Sequence, residues 1–234
     1  MKSVYILVLL SLLAGNLFAQ ASKDVYRFKN GSDISKMLSV QERFQFKEFM
    51  DGAVMFRGGK VTKAKLNYSV VHGEVMFISA GNDTMLITDN DFVKNIMVGQ
   101  FPFIYHRGRG HIEIAGDYGQ VRLGRKMFLT KMGNERYAAY DQYSSSSAIS
   151  SYSSFTNADG RVQFLEGNDR VILRRRTVFF LVDKNDKVYS ATKGNVLRFY
   201  SSQKRKVNDF MRVNKTNFDK EDDVVNLMAF CSSL

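Results

Sequence analysis

A single cysteine, Cys231, excludes any internal disulfide, so packing alone must hold the fold. Proline is as scarce. Pro102, within Phe101-Pro102-Phe103, is the only one and marks a sheet edge or the start of a strand. Beyond the N-terminal segment no run of 18 apolar residues occurs, so no transmembrane helix is expected. Catalytic signatures are missing too: there is no Gly-x-Ser-x-Gly elbow and no His-Glu-x-x-His helix. Ser201-Ser202-Gln203-Lys204 has the Ser-x-x-Lys spacing, but its companion motifs are absent in usable form and a Ser- and Lys-rich chain produces the match by chance. No cofactor is implied. Acidic residues are outnumbered, 23 against 34 basic ones, for a net charge of +11. In the cytoplasm such a balance would suggest nucleic acid. Outside it the abundant polyanions are lipopolysaccharide, anionic headgroups and acidic glycans, so no nucleic-acid partner is expected. The charge is spread along the chain, which a generally basic, soluble surface explains.

What is present begins with an export signal. Lys2 supplies a positive start, residues 4–13 are apolar, and Ala14-Gly15-Asn16-Leu17-Phe18-Ala19 leads to a cut before Gln20, or alternatively after Ala21. The apolar core is too short to span a bilayer. No cysteine lies near the cut, so lipid attachment there is closed. Residues 1–19 are therefore expected to be removed, leaving 20–234 as one domain in the periplasm or cell envelope, soluble or peripheral. A chain of that size can bury roughly 70% of its unfolded surface. The sequons at Asn30, Asn67, Asn82 and Asn214 matter only in a eukaryotic secretory route.

Residues 54–88 read as an antiparallel meander: short apolar runs broken by Arg57-Gly58-Gly59-Lys60, by a turn ending at Gly73, and by Ser79-Ala80-Gly81-Asn82-Asp83. This stretch is expected to form the centre of the sheet. Ahead of it, residues 25–28 form a strand and 33–38 a helical turn capped by Ser32. Phe44-Gln45-Phe46 alternates as a further strand, with Asp51-Gly52 as a turn. Beyond it, strands follow over 92–98, from Phe101, over 111–115, and over 121–131 closing at Gly133-Asn134. Residues 143–154 are Ser-rich and low in complexity, and the 140–160 segment reads as an exposed, mobile loop. Strands resume over 162–165 and 171–182, and a turn at 183–186 makes a hairpin with 187–191. The period then becomes helical: Val196, Phe199 and Tyr200, then Val207, Phe210, Met211 and Asn214, then Val224, Leu227, Met228 and Cys231 behind an acid-rich first turn. Strands first and helices last predict an α+β fold, a curved antiparallel sheet or open barrel closed by two or three C-terminal helices, which make up the helical segment 192–234.

Three blocks carry a resemblance: the signal ending Phe18-Ala19-Gln20, the meander from Phe56 to Tyr68 leading into Gly73-Glu74-Val75-Met76-Phe77-Ile78, and Asn217-Phe218-Asp219-Lys220-Glu221-Asp222-Asp223. Together they resemble a functionally uncharacterised family of exported proteins from Gram-negative bacteria rich in surface-glycan and gliding machinery. The resemblance implies a compartment and a fold rather than an activity. Asp83-Thr84-Met85 looks like the short O-glycan acceptor of such bacteria, and equally like a turn followed by a strand.

Candidate sites are few. His106, His111 and Glu113 supply at most three metal ligands on an ordinary strand end, fewer than a closed shell requires, so no metal is expected. Arg107 and Arg109, flanked by glycines, together with Arg175 of the Arg174-Arg175-Arg176 run, are the candidate anion-binding residues. Tyr140, Tyr143 and Tyr152 form a candidate aromatic partner-binding rim around the Ser-rich segment. Lys204-Arg205-Lys206 reads as a solvated helix face, and Cys231 as a small buried hydrophobe. The expected function is a non-enzymatic envelope protein with a binding or structural role, its partner an envelope protein or an anionic component such as a glycan or lipid headgroup. The alternatives are an envelope hydrolase using Glu74, Glu113 or Asp117, and a small outer-membrane barrel, against which stand the lack of tryptophan and the helical end.

Overall fold

The computed structural model describes residues 24–29, 31–138, 142–144, 155–156, 162–163 and 170–234. The expected signal segment and most of the 140–160 segment lie outside them. The strands are β1 (Val25–Lys29), β2 (Met50–Phe56), β3 (Val61–Ser69), β4 (Glu74–Ile78), β5 (Thr84–Leu86), β6 (Val93–Val98), β7 (Phe101–His106), β8 (Gly110–Asp117), β9 (Arg122–Ala138), β10 (Gln142–Ser144), β11 (Phe155–Thr156), β12 (Val162–Gln163), β13 (Arg170–Val182) and β14 (Val188–Ser190). The helices are α1 (Ile34–Met37), α2 (Val40–Arg43), α3 (Lys193–Phe199), α4 (Lys204–Val213) and α5 (Glu221–Ser232).

Strand order in the main sheet is β1-β13-β9-β8-β7-β6-β2-β3-β4-β5, antiparallel throughout, with β10 beside β9 and β14 beside β13. The fold is α+β, a curved and unclosed antiparallel sheet with helices at its C-terminal end, as the strand-then-helix order predicts. One expectation is corrected here. The 54–88 meander is not the centre of the sheet but its β5 end; β7 and β6 hold the middle. Turn chemistry pairs β2 with β3, β3 with β4 and β4 with β5, but it leaves open that β6 returns to pair with β2 rather than with β5, which puts β5 at the edge.

Smaller corrections have local causes. Gly52 is no turn residue but lies inside β2, between β3 and β6. A Cβ there would collide with the Met97 carbonyl oxygen and meet Leu66 Cδ1 at 2.7 Å, so the glycine serves a close backbone approach. Phe44 makes only an isolated bridge to Ser69, and Phe46 is in no strand. The fully buried Asn67 explains this. Its Oδ1 accepts from Phe46 N and its Nδ2 donates to Phe46 O and Glu48 O, so a side chain takes the place of a ladder. Asp33 rather than Ser32 caps α1, accepting from Ser35 N. β9 runs through Gly133-Asn134, with a register shift in its pairing to β13 at Ile172/Leu173.

The sheet rolls until its β3–β4 end meets β8–β9. Tyr68 Oη donates to Met127 O at 2.8 Å and Leu129 N donates to Val70 O at 3.2 Å across this seam. The interior is filled by Leu66, Tyr68, Val75, Ile96, Val98 and Phe103, with the Tyr68 and Phe103 rings stacked 5.4 Å apart. At the other end α3, α4 and α5 pack Val196, Val207, Met211, Val224, Leu227 and Met228 against Leu123, Phe179 and Leu181. The four apolar positions predicted for α5 are all buried.

Candidate functional site

The β8–β9 register sets Glu113 opposite Arg125, and both lie where the rolled interior meets α5. Arg125 holds Glu113 in a two-toothed pair, Nη2 to Oε1 at 2.8 Å and Nε to Oε2 at 3.3 Å, while Gln45 Nε2 donates to Oε2 at 2.7 Å. Arg125 Nη1 then reaches Glu221 Oε1 at 2.5 Å, tying the first turn of α5 to the sheet. Burial works against the charged guanidinium, but the hydrogen bond and charge of Glu113, then those of Glu221, outweigh it and hold its pKa above the ordinary arginine value. Glu113, Arg125 and Glu221 line an open cleft of about 320 Å³ whose other walls include Phe101, Pro102 and Ile114.

A second polar cluster sits at the seam. Glu74 accepts from His111 N at 3.2 Å and contacts the His111 ring at Nδ1, which also accepts from Val75 N at 3.2 Å. Lys126 Nζ donates to Gly73 O at 2.7 Å and to Arg109 O. Gly110, at φ +68°, leaves room for the Glu74 carboxyl, since a Cβ there would strike it. Burial pulls the Lys126 pKa down, against the pull of the Glu74 charge. The His111 side chain is fully buried and its Nε2 has no hydrogen-bond partner among the described residues. The buried imidazole and the partly exposed Glu74 carboxyl thus tie the start of β4 to the start of β8.

The residues singled out from the sequence are placed as follows. Arg107 is exposed on the β7–β8 turn. Arg109 lies over the Phe180 ring at 4.8 Å and donates to Ser190 Oγ at 3.4 Å. Arg175 lies about 17 Å along β13 from Phe180 by extended geometry; it donates to Glu42 O at 2.9 Å and stacks over Tyr26. The turn thus gathers Arg107 and Arg109 but not Arg175. Tyr143 belongs to β10, paired opposite Tyr137, while Tyr140 and Tyr152 lie outside the described residues. His111 and Glu113 share the inward face of β8, and His106 sits opposite Gly110 across the β7–β8 hairpin. Among the described residues no group of three or more His, Cys, Asp or Glu could hold a metal ion. Asp117 is exposed and accepts from Gly119 N in its own turn, far in role from Glu113. Cys231 is buried, and desolvation raises its pKa from 9.0 to about 11.

Sequence reasoning missed Arg125, Glu221, Gln45 and Lys126. The first was open to discovery, because a hairpin turning at Asp117-Tyr118-Gly119 brings β8 and β9 into register. The others meet the cluster only through tertiary packing. No protein-family model matches the chain, and neither curated proteins nor solved structures yield a match.

Proposed function

We propose that the chain is a non-enzymatic, exported protein of the bacterial envelope that acts by binding or by structural interaction. One observation carries this reading: the rolled interior is filled by apolar side chains, and the carboxylate at its mouth is spent on structure. A glycosidase-type pair needs one carboxyl free to hold and deliver a proton and another facing the reacting carbon. Here each oxygen of Glu113 already accepts a hydrogen bond, and Glu221 serves the same guanidinium. The unclosed sheet, with β1 and β5 at its edges, speaks against the membrane-barrel alternative, since spanning barrels have no free edges. The export half of the reading rests on the N-terminal segment and on the family resemblance.

The test is expression of the full chain in a Gram-negative host, followed by osmotic shock without detergent. Release of a chain beginning at Gln20 or Ser22 is the expected result, with no turnover of peptidoglycan, glycoside or ester substrates by the purified protein. An unprocessed cytoplasmic chain overturns the export half. Turnover that disappears in Glu113→Gln replaces the binding reading with the hydrolase.

A further inference from the structure

We infer that the outward face of α4 is a docking surface for an anionic lipid bilayer. Residues 193–215 carry seven basic side chains and one acidic one, a surplus of six within a chain whose total is +11. The spread of charge seen along the sequence thus hides a local concentration. Val207 and Met211, four residues apart, are buried and fix which side of α4 faces the protein. At 100° per residue Arg205, Lys206, Arg212 and Val213 then project from the opposite side, and all four are exposed. Asp209 is the one acid on that face and pairs with Arg212 at 3.3 Å. Among the described residues Lys204, Arg205, Lys206 and Lys215 have no ion-pair partner.

The nearby acids do not neutralise this face. Asp219 is drawn to Arg176 at 3.4 Å, Glu221 to Arg125, and Asp223 accepts from Asn217 N at 2.8 Å. Asp219, Glu221 and Asp223 are thus directed at the sheet and their own loop, while Asp222 is exposed without an ion pair among the described residues, so α4 keeps its positive surplus. Val213 selects the occupant. It is the most exposed large apolar side chain among the described residues, at 71%, and it lies beside Arg212 and near Lys215. A soluble acidic glycan rewards the cations but offers nothing to an exposed valine. A lipid surface rewards both, through headgroup charge and the apolar layer below it. No helix among the described residues is long and apolar enough to cross a membrane, so contact through this helix would be at the surface. The inference deepens the envelope reading and rests on it for its choice of a bilayer as partner.

The test is co-sedimentation of the processed chain with phosphatidylcholine vesicles, with and without phosphatidylglycerol. Binding is expected only to the anionic vesicles and falls with added salt. Arg205→Glu/Lys206→Glu/Arg212→Glu should lose on the order of a hundredfold in partitioning, and Val213→Ser severalfold. The control Lys60→Glu/Lys63→Glu/Lys94→Glu changes total charge equally at exposed positions in the sheet and its β2–β3 turn and should bind nearly as well as the parent. Circular dichroism and melting confirm that each variant folds. Absence of anionic-vesicle binding overturns the inference, and so does equal loss in both triple variants. Binding to an acidic polysaccharide that ignores Val213→Ser, without vesicle binding, replaces the bilayer with a glycan. Fractionation and turnover results are independent of all these outcomes, so the two readings fail separately.

Discussion

At the scale of single residues, Asn67 shows how one polar side chain substitutes for secondary structure. It donates twice and accepts twice, from Phe46 N and Tyr68 N, in a site closed to water. Asn67→Ala strands these backbone groups, and chemical denaturation should show a loss of about 2 to 4 kcal/mol. Asn67→Asp would keep the acceptors but lose the donors. The same burial makes its sequon inaccessible to any glycosylating enzyme in the folded chain. None of this was legible in the sequence, where Asn67 is one polar residue in an alternating strand. Its partners Phe46 and Glu48 lie 21 and 19 positions away, at a bend that no local propensity announces.

At the scale of elements, α5 was the most legible part of the chain. Val224, Leu227, Met228 and Cys231 repeat at helical spacing, and burial of that stripe against α3, α4 and the sheet follows from period alone. Cys231 gives the element a pH signature. Desolvation lifts its pKa from 9.0 to about 11, and that of neighbouring Tyr200 from 10.0 to about 12. Each folded-state value lies above its unfolded one, so the associated stability is complete below about pH 9 and is lost as pH rises toward 11 and 12. Two units on the thiol correspond to about 3 kcal/mol when it is fully ionised. Denaturation at a series of pH values should therefore show stability falling above pH 9 in the parent and falling less steeply in Cys231→Ala. A parallel pair of curves would mean that the thiol is not desolvated.

Across the whole molecule, the seam matters most. The sheet is rolled but not closed, and beyond the apolar interior the hydrogen bonds that hold β3–β4 against β8–β9 among the described residues are sparse: the Tyr68 hydroxyl on Met127 O, Leu129 N on Val70 O, and the Glu74–His111–Lys126 cluster. Tyr68→Phe removes one of these and should cost about 1 kcal/mol in overall stability. Its sharper readout is amide exchange. The Leu129 amide should exchange faster, while amides bonded within the long β9–β13 ladder keep their protection. Uniform acceleration would mean that the seam and the sheet open as one unit.

Sequence alone determined the elements of this protein and their class: hairpin turns, alternating strands, a helical end, and the absence of disulfides. These are local matters, set by turn chemistry, by periods of 2 and 3.6, and by composition. Tertiary structure decided that the meander lies at one end of the sheet, that Gly52 is a contact rather than a turn, and that Glu113, Arg125, Gln45 and Glu221 meet. It also turned basic residues of α4 outward while pairing Glu221 of α5 and the preceding Asp219 with arginines of the sheet. The physical reason is common to all of these. Each depends on which distant segments share an edge or a face, and that is fixed by burying all the apolar surfaces at once, which no window of the chain contains.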